Sequence, residues 1–257
     1  YLLSRLKKSM TSLLLYLRDE QRQSSFKPVA CELKIGRGED AVPAQVYHLS
    51  DGRTVQLVGT VDRADEWVEE DGTRWVRVVD YKTGSKKLDL KEVYCGLDCQ
   101  MLLYLFTLER NGGHLFSQGT AAGVEYLWAD PAPENIIRPE TDDAEPLQAQ
   151  NYPLEGLLLD EPSIYHAMDT RGTGAFVPLS FSAKTGEPTA QSAKARLADR
   201  EKFNRIRDHL DGMLTDMAKN LYSGEIDAAP LVPNAGKSPC LWCEYRTVCR
   251  HADGGGE

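Results

Sequence analysis

The sequence predicts an α/β fold in which a mixed central sheet is flanked by helices. An amphipathic helical pattern opens the chain, three β-rich runs follow, and a second helical pattern precedes another short apolar strand. Elements in this order form layered α/β domains, because each amphipathic helix needs an apolar sheet face on which to pack. The 257 residues suffice for one large domain with appendages.

The first four elements follow from hydrophobic periodicity and turn signals. Apolar residues at helical spacing mark the opening helix: Leu2, Leu3, Leu6, Met10, Leu13, Leu14 and Leu17. Pro28 then precedes a short strand over residues 29–35. Residues 54–67 and 74–81 are rich in β-branched and aromatic residues, and the turn sequence at 69–72 predicts that they form an antiparallel hairpin.

The remaining elements are a helix, a strand, a polar stretch and a long helix. The helix is predicted over residues 91–110, and its apolar face comprises Leu97, Met101, Tyr104, Leu105 and Leu108. Residues 121–128 form a strand, whereas residues 131–195 are polar and contain one hairpin signal at 184–186. A long helix beginning near Leu197 ends at Ser223-Gly224.

These elements predict four segments. They are an N-terminal helix (1–27), a core (28–129), an insertion (130–195), and a long helix with a C-terminal cysteine segment (196–257). The chain opens with Tyr1 inside a helical pattern, which suggests a fragment of a longer protein. Its longest apolar run, residues 13–17, is far shorter than the roughly 20 residues of a membrane span, so we expect a cytoplasmic protein without membrane association.

The charge distribution is uneven. A net charge of −9 argues against a free-standing nucleic-acid binder, which usually has a basic face. Acidic residues concentrate in 131–161, however, and five basic residues gather near one motif: Arg63, Lys82, Lys86, Lys87 and Lys91. A basic rim around an acidic pocket is therefore compatible with the sequence.

The sequences GTVDR at 59–63 and VDYKTG at 79–84 predict a metal site. Asp80 and Lys82 are two apart in a strand and share a face, and hairpin pairing would bring Asp62 beside them. Two adjacent carboxylates repel each other unless a cation neutralises them, and oxygen ligands suit Mg²⁺ or Mn²⁺. Such an ion can polarise a phosphodiester while Lys82 orients or deprotonates a water. The alternative is an ordinary solvated Asp–Lys ion pair, which is what an Asp-x-Lys sequence without further motifs most often forms.

The helix after the hairpin adds Gln100 and Tyr104, which are four residues apart and share a helix face. With GTVDR, VVDYKTG and QMLLY in this order, the sequence resembles the RecB-family branch of the PD-(D/E)XK nucleases, which have a restriction-endonuclease-like fold. The resemblance implies that Asp62, Asp80 and the Tyr81 carbonyl are metal ligands and that Lys82 is the catalytic lysine. Gln100 and Tyr104 would form the supporting motif.

One element of that family has no counterpart in residues 1–27. The family's helix before the first strand supplies a further ligand, commonly histidine, whereas no histidine precedes His48. Glu32 is a candidate substitute ligand, although it is more simply interpreted as a residue that flanks the site.

Three cysteines near the C-terminus, Cys240, Cys243 and Cys249, have the spacing C-x2-C-x5-C, which suits thiolate ligation of one centre. They resemble the C-terminal cysteines of the AddB chains in AddAB-type bacterial helicase–nucleases. That resemblance implies a structural [4Fe–4S] cluster, whose fourth cysteine lies before the nuclease motifs and has no match here. We therefore expect an incomplete cluster; three free buried cysteines are the alternative. Cys95 and Cys99 are expected to pack within the helix.

The resemblance also implies a function. The intact subunit would pair with an AddA-type helicase–nuclease subunit and process double-stranded DNA ends and single-stranded DNA in recombinational repair. No GxxxxGK motif for ATP phosphates is present. The alternatives are an inactive DNA-end-binding scaffold with a structural metal or iron–sulfur staple, and a stand-alone exonuclease. The presence of both Asp80 and Lys82 favours an active nuclease.

Overall fold

The structure is a computed structural model that describes residues 2–83, 88–129, 152–231 and 238–249. The helices are α1 (Leu2–Gln23), α2 (Leu90–Tyr94), α3 (Gln100–Asn111), α4 (Gly113–Phe116), α5 (Pro162–Met168), α6 (Ala190–Arg196), α7 (Arg200–Ser223) and α8 (Arg246–Cys249). The strands are β1 (Lys27–Ile35), β2 (Gln45–His48), β3 (Thr54–Leu57), β4 (Gly59–Val68), β5 (Arg74–Lys82), β6 (Thr120–Trp128), β7 (Leu154–Leu159) and β8 (Leu197–Ala198). No helix in these ranges is long and apolar enough to cross a membrane.

Six strands form the central sheet in the order β1-β4-β5-β6-β7-β8. The sheet is mixed, because β5 and β6 run parallel, as do β7 and β8, while the other neighbours are antiparallel. The predicted hairpin joins β4 to β5, and its turn places Gly72 at a φ of 89°, a left-handed conformation that glycine adopts without strain. The predicted α/β fold with a mixed sheet is confirmed.

Helices cover both faces of this sheet. On one face, α3 packs on β5 and β6 through a stripe of buried residues: Met101, Leu102, Tyr104, Leu105 and Leu108. On the other face, α1 places Tyr16 against Tyr152 and Phe176, with ring centroids 5.0 and 5.1 Å apart. Tyr16 belongs to the same apolar cluster as Val79 of β5 and Leu127 of β6, so α1 shields the end of the sheet that carries the motif strands.

A network of five charged side chains lies buried between α1 and the sheet. Arg77 is fully buried and contacts three carboxylates: Glu20 of α1 at 2.6 Å, Asp65 at 2.8 Å and Glu125 at 2.9 Å. Arg63 contacts Glu20 at 2.7 Å and Asp65 at 3.0 Å. Burial raises the pKa of Glu125 to about 7, although Arg77 acts in the opposite direction. Arg63 was expected in a basic rim, and that prediction is wrong because its side chain points into this network.

Two predicted elements are each divided in the structure. The strand predicted over 54–67 is two strands, of which β3 pairs with the unpredicted β2 in a separate two-stranded sheet while β4 joins the central sheet. The helix predicted over 91–110 is interrupted between α2 and α3, where Gly96 and Asp98 have φ values of 85° and 54°. A helix cannot continue through left-handed residues, so Leu97 is partly exposed instead of lying on the apolar face.

The central sheet continues beyond the predicted limit of the core at residue 129. Strand β7 lies within the range predicted as an insertion, and it pairs with β6 on one side and β8 on the other. Its residues Leu157, Leu158 and Leu159 are buried, as expected for an interior strand. The predicted turn at 184–186 is present between Phe181 and Pro188, which form an isolated bridge. The predicted long helix is confirmed as α7, which Gly224 caps in a left-handed conformation, but Leu197, its predicted first residue, lies in β8 and the helix begins at Arg200.

Candidate active site

The end of β5 carries the acid and the lysine of the second motif. Residues alternate between the faces of a strand, and the Tyr81 hydroxyl on the α1 side accepts a hydrogen bond from Arg63 at 2.9 Å. Asp80 and Lys82 therefore project to the opposite face, which α3 covers. The Lys82 Nζ lies 2.7 Å from Oδ2 of Asp80. Asp80 is 6 % exposed, whereas the Lys82 side chain is 35 % exposed.

Asp62 of β4 joins this pair across the hairpin. The register pairs Arg63 with Val79, so Asp62 lies one step further along, beside Asp80. Its Oδ2 accepts a hydrogen bond from the backbone N–H of Tyr81 at 3.1 Å. This bond holds the Asp62 carboxylate against the peptide that joins Asp80 to Tyr81.

The electrostatics at this edge favour a cation. Burial raises the pKa of Asp80 above its ordinary range, and the neighbouring Asp62 carboxylate adds to the rise, while the Lys82 ammonium opposes it. Two carboxylates face one ammonium, which leaves a net negative charge in a largely buried place. A divalent cation would relieve this repulsion more effectively than a single ammonium does.

Gln100 and Tyr104 meet on α3, where the Gln100 amide donates a hydrogen bond to the Tyr104 hydroxyl at 2.9 Å. The Tyr104 ring packs over Gly59, the first residue of β4, so closely that a β-carbon at position 59 would overlap the hydroxyl. The structure thus brings Asp62, Asp80 and Lys82 together and places the Gln100–Tyr104 pair at the start of the strand that carries Asp62.

We expect that Gly59→Ala displaces Tyr104 and breaks its bond to Gln100. The clash with a buried ring should lower the free energy of unfolding by about 1–3 kcal/mol. Denaturant unfolding measures the effect, and Gly212→Ala is the matched control. Gly212 lies inside α7 with open space around it, so an alanine there should stabilise the protein by up to about 1 kcal/mol. Equal effects of the two substitutions would contradict the close packing at Gly59.

Glu32 does not join the carboxylate pair. It lies in β1 between Cys31, which pairs with Arg63, and Leu33, which pairs with Val61. Its side chain is exposed, its φ is 52°, and among the described residues its carboxylate forms no hydrogen bond or ion pair. A group of three or more His, Cys, Asp or Glu side chains suited to a metal is absent from the described part of the chain.

The C-terminal cysteines lie in a segment that the structure describes over residues 238–249. Cys240 is half-buried within a short 3-10 helix (Pro239–Trp242), and Cys243 and Cys249 are exposed. Backbone hydrogen bonds from Cys243 to Cys240 and from Cys249 to Tyr245 fold the segment into two tight turns. This arrangement contradicts three buried free cysteines, and it leaves the thiols accessible to a ligand.

The other two cysteines differ from each other. Cys99 is buried, and its Sγ donates to the carbonyl of Leu97 at 3.3 Å, while burial raises its thiol pKa to about 11. The prediction that Cys99 packs in the core is therefore confirmed. The same prediction is wrong for Cys95, which is exposed because it falls at the break between α2 and α3.

Sequence analysis did not identify a basic cleft of about 360 Å³ beside the first motif. Its lining residues come from the end of β1 and the start of β4: Lys34, Ile35, Arg37, Gly38, Val58, Gly59 and Thr60. The sequence KIGRG at 34–38 was the available signal, because two basic residues alternate with glycines directly after a strand. Of the basic rim that the sequence did predict, Lys86 and Lys87 lie outside the described residues.

The chain is similar in sequence to a nuclease family and to two bacterial proteins. Residues 1–250 match the family model described as the PD-(D/E)XK nuclease superfamily. A protein of Symbiobacterium thermophilum, named as the B subunit of an ATP-dependent helicase/deoxyribonuclease, is 33% identical over 255 residues, which cover 97% of this chain and 21% of that protein. A protein of Bacillus mycoides with the same name is 30% identical over 256 residues, which cover 97% of this chain and 22% of that protein.

The chain therefore spans about a fifth of the length of the curated relatives that it matches. The family model, in contrast, covers nearly all of the chain, including the sheet, α1 and α3. The prediction of a nuclease-class fold from three successive motifs is confirmed by this match. On that basis the chain belongs to the PD-(D/E)XK nuclease superfamily.

Proposed function

We propose that this chain is a divalent-metal-dependent deoxyribonuclease domain that hydrolyses phosphodiester bonds at DNA ends. The observation that carries the proposal is the convergence of Asp62, Asp80 and Lys82 at one edge of the sheet. An acid pair with an adjacent ammonium on the same face is suited to phosphodiester hydrolysis, since it combines cation binding with a group that can handle a proton.

The donor set fits a hard divalent cation. Asp62 and Asp80 offer carboxylate oxygens, and the buried Oδ2 of Asp80 has the Lys82 ammonium as its ionic neighbour at 2.7 Å. We propose that these two residues and the Tyr81 carbonyl hold Mg²⁺ or Mn²⁺. When bound, the ion would polarise the phosphodiester and lower the pKa of a coordinated water.

The protein's own groups have separate roles in this proposal. Lys82 is partly exposed and can orient the attacking water or assist its deprotonation while it stays beside Asp80. The Tyr81 N–H holds the Asp62 carboxylate in one position. The carboxylate therefore loses less conformational entropy when an ion binds. Gln100 and Tyr104 form a polar wall at the start of β4 and support the position of the strand.

The names of the relatives suggest the larger assembly. We propose that the domain belongs to a cytoplasmic helicase–nuclease subunit that pairs with an AddA-type subunit and processes double-strand ends for recombinational repair. In this proposal Cys240, Cys243 and Cys249 supply three thiolates to a structural [4Fe–4S] cluster. Their support is the spacing and the accessibility of the thiols.

The test is cleavage of end-labelled linear duplex and single-stranded DNA by the purified chain with Mg²⁺, Mn²⁺ or EDTA. We expect products with either metal and none with EDTA. DNA binding is measured by fluorescence anisotropy in parallel. Binding without cleavage under every metal condition would contradict the proposal and support a scaffold that holds DNA ends.

A further inference from the structure

The cleft at the end of β1 lies next to the candidate metal ligand Asp62 along strand β4. Lys34 pairs with Thr60 in the antiparallel register, and directly opposed residues project from the same face. Thr60 and Asp62 are two residues apart in β4 and also share a face. One strand step of about 7 Å therefore separates the cleft from the proposed metal site.

The charge of the cleft is suited to an anion. Lys34 and Arg37 are exposed, and neither forms an ion pair within the part of the chain that the structure describes. The acidic residues that follow, Glu39 and Asp40, lie beyond Gly38 and do not line the cleft. The charge of Arg63, in contrast, is neutralised by the buried carboxylates of Glu20 and Asp65. Lys34 and Arg37 therefore give the cleft a positive charge that remains available to an anion.

The form of the cleft also favours a chain of phosphates. Gly36 and Gly38 have φ values of 77° and 114°, which L side chains rarely adopt, so the turn that carries Arg37 depends on the glycines on either side of it. Gly59 lies at the floor of the cleft against the Tyr104 hydroxyl. Gly59 therefore connects the cleft to the Gln100–Tyr104 pair.

We propose that Lys34 and Arg37 bind the DNA phosphodiester adjacent to the one that is cleaved. This inference rests on the proposed nuclease function and assigns a second phosphate subsite to the same active face. The subsite binds the backbone of the cleaved strand through charge and makes no base contact, so it contributes affinity without sequence preference. Its contribution is uniform binding, which affects KM and leaves kcat unchanged.

The first test is the double variant Lys34→Gln/Arg37→Gln. The matched control is Lys7→Gln/Lys8→Gln, which makes the same change in charge at two exposed positions of α1. Affinity for single-stranded DNA is measured in EDTA, where no cleavage is needed. We expect the double variant to bind about three- to tenfold more weakly at low salt and to lower the slope of log K against log[salt] by about 1. The control should bind like the unmodified chain.

The second test locates the contact on the substrate. An oligonucleotide series carries one neutral methylphosphonate linkage at successive positions from the cleaved bond. In the unmodified chain, the linkage next to the cleaved one should raise KM about three- to tenfold, whereas in the double variant the same substitution should have no further effect.

The possible outcomes separate the two proposals. Equal methylphosphonate effects in the unmodified chain and the double variant would overturn the subsite, as would unaltered binding by the double variant in EDTA. Weakened binding by the double variant in EDTA, combined with no cleavage by any form, would support a phosphate site and contradict the nuclease function. Thermal unfolding of all forms should coincide, because the four substituted side chains are exposed.

Discussion

Replacement of Asp80 by Asn is expected to lower metal-dependent DNA cleavage by roughly 10³-fold, the effect of losing several kcal/mol of stabilisation from the bound ion. Asparagine keeps the size of the side chain but removes the charge that attracts the cation. The stability of the protein should not fall, since burial raises the pKa of Asp80 and its ionised form is therefore a cost to the folded state. Cleavage assays and thermal unfolding on the same preparations measure the two effects.

Two variants make this expectation specific. Asp40→Asn removes one exposed carboxylate outside the site and should leave cleavage unchanged. Lys82→Met should lower cleavage by about 10²–10⁴-fold, as expected for loss of a proton-handling group. It should nevertheless bind Mn²⁺ at least as tightly, because the ammonium no longer competes for Oδ2 of Asp80. An Asp80→Asn variant with full activity, or one that fails to fold, would contradict this account of the site.

Replacement of Arg77 by Met should lower the free energy of unfolding by about 3–5 kcal/mol, because three buried carboxylates would lose a common partner. The loss should be largest at alkaline pH, where all three are ionised. As the pH falls, the carboxylates that have lost Arg77 take up protons more readily in the folded than in the unfolded state. The difference in the free energy of unfolding between the variant and the unmodified chain should therefore become smaller. Denaturant unfolding between acid and mildly alkaline pH measures the trend.

The control for Arg77 lies in the same strand. Arg74 contacts Glu66 at 3.0 Å, but its side chain is 36 % exposed. Arg74→Met should therefore cost less than about 1 kcal/mol, the usual contribution of a surface ion pair. If Arg77→Met and Arg74→Met had equal effects, the buried network would contribute no more than a surface pair.

The candidate site could be predicted because its key contacts are local in sequence. The turn at 69–72 joins the strands of Asp62 and Asp80, so hairpin geometry alone places the two acids side by side. The buried network could not be predicted in the same way. Strand periodicity shows which residues share a face of the sheet. It does not show that Glu20, which lies 43 residues before Arg63 in a helix, packs on that face and neutralises the arginine. An acid four residues after Tyr16, within an apolar helical stripe, was the available signal.

The errors in the fold have related causes. Gly96 and Asp98 interrupt a helix whose apolar spacing is otherwise continuous, and periodicity does not report a left-handed residue. Strand β7 was missed because a short apolar run such as residues 157–159 is compatible with either a strand or a helix, and its polar surroundings favoured a loop. Its partners β6 and β8 become evident only when the whole sheet is assembled.

The position of Glu20 has a consequence for how such a domain can be inherited. Arg63 and Arg77 are part of the motif strands, yet their shared carboxylate resides in α1. If recombination moved the motif strands into another protein without α1, Arg63 and Arg77 would both be buried without Glu20, the carboxylate that they share. Recombination that preserves the network must therefore transfer residues 20 to 125 as one block, because Glu125 of β6 is a further buried partner of Arg77.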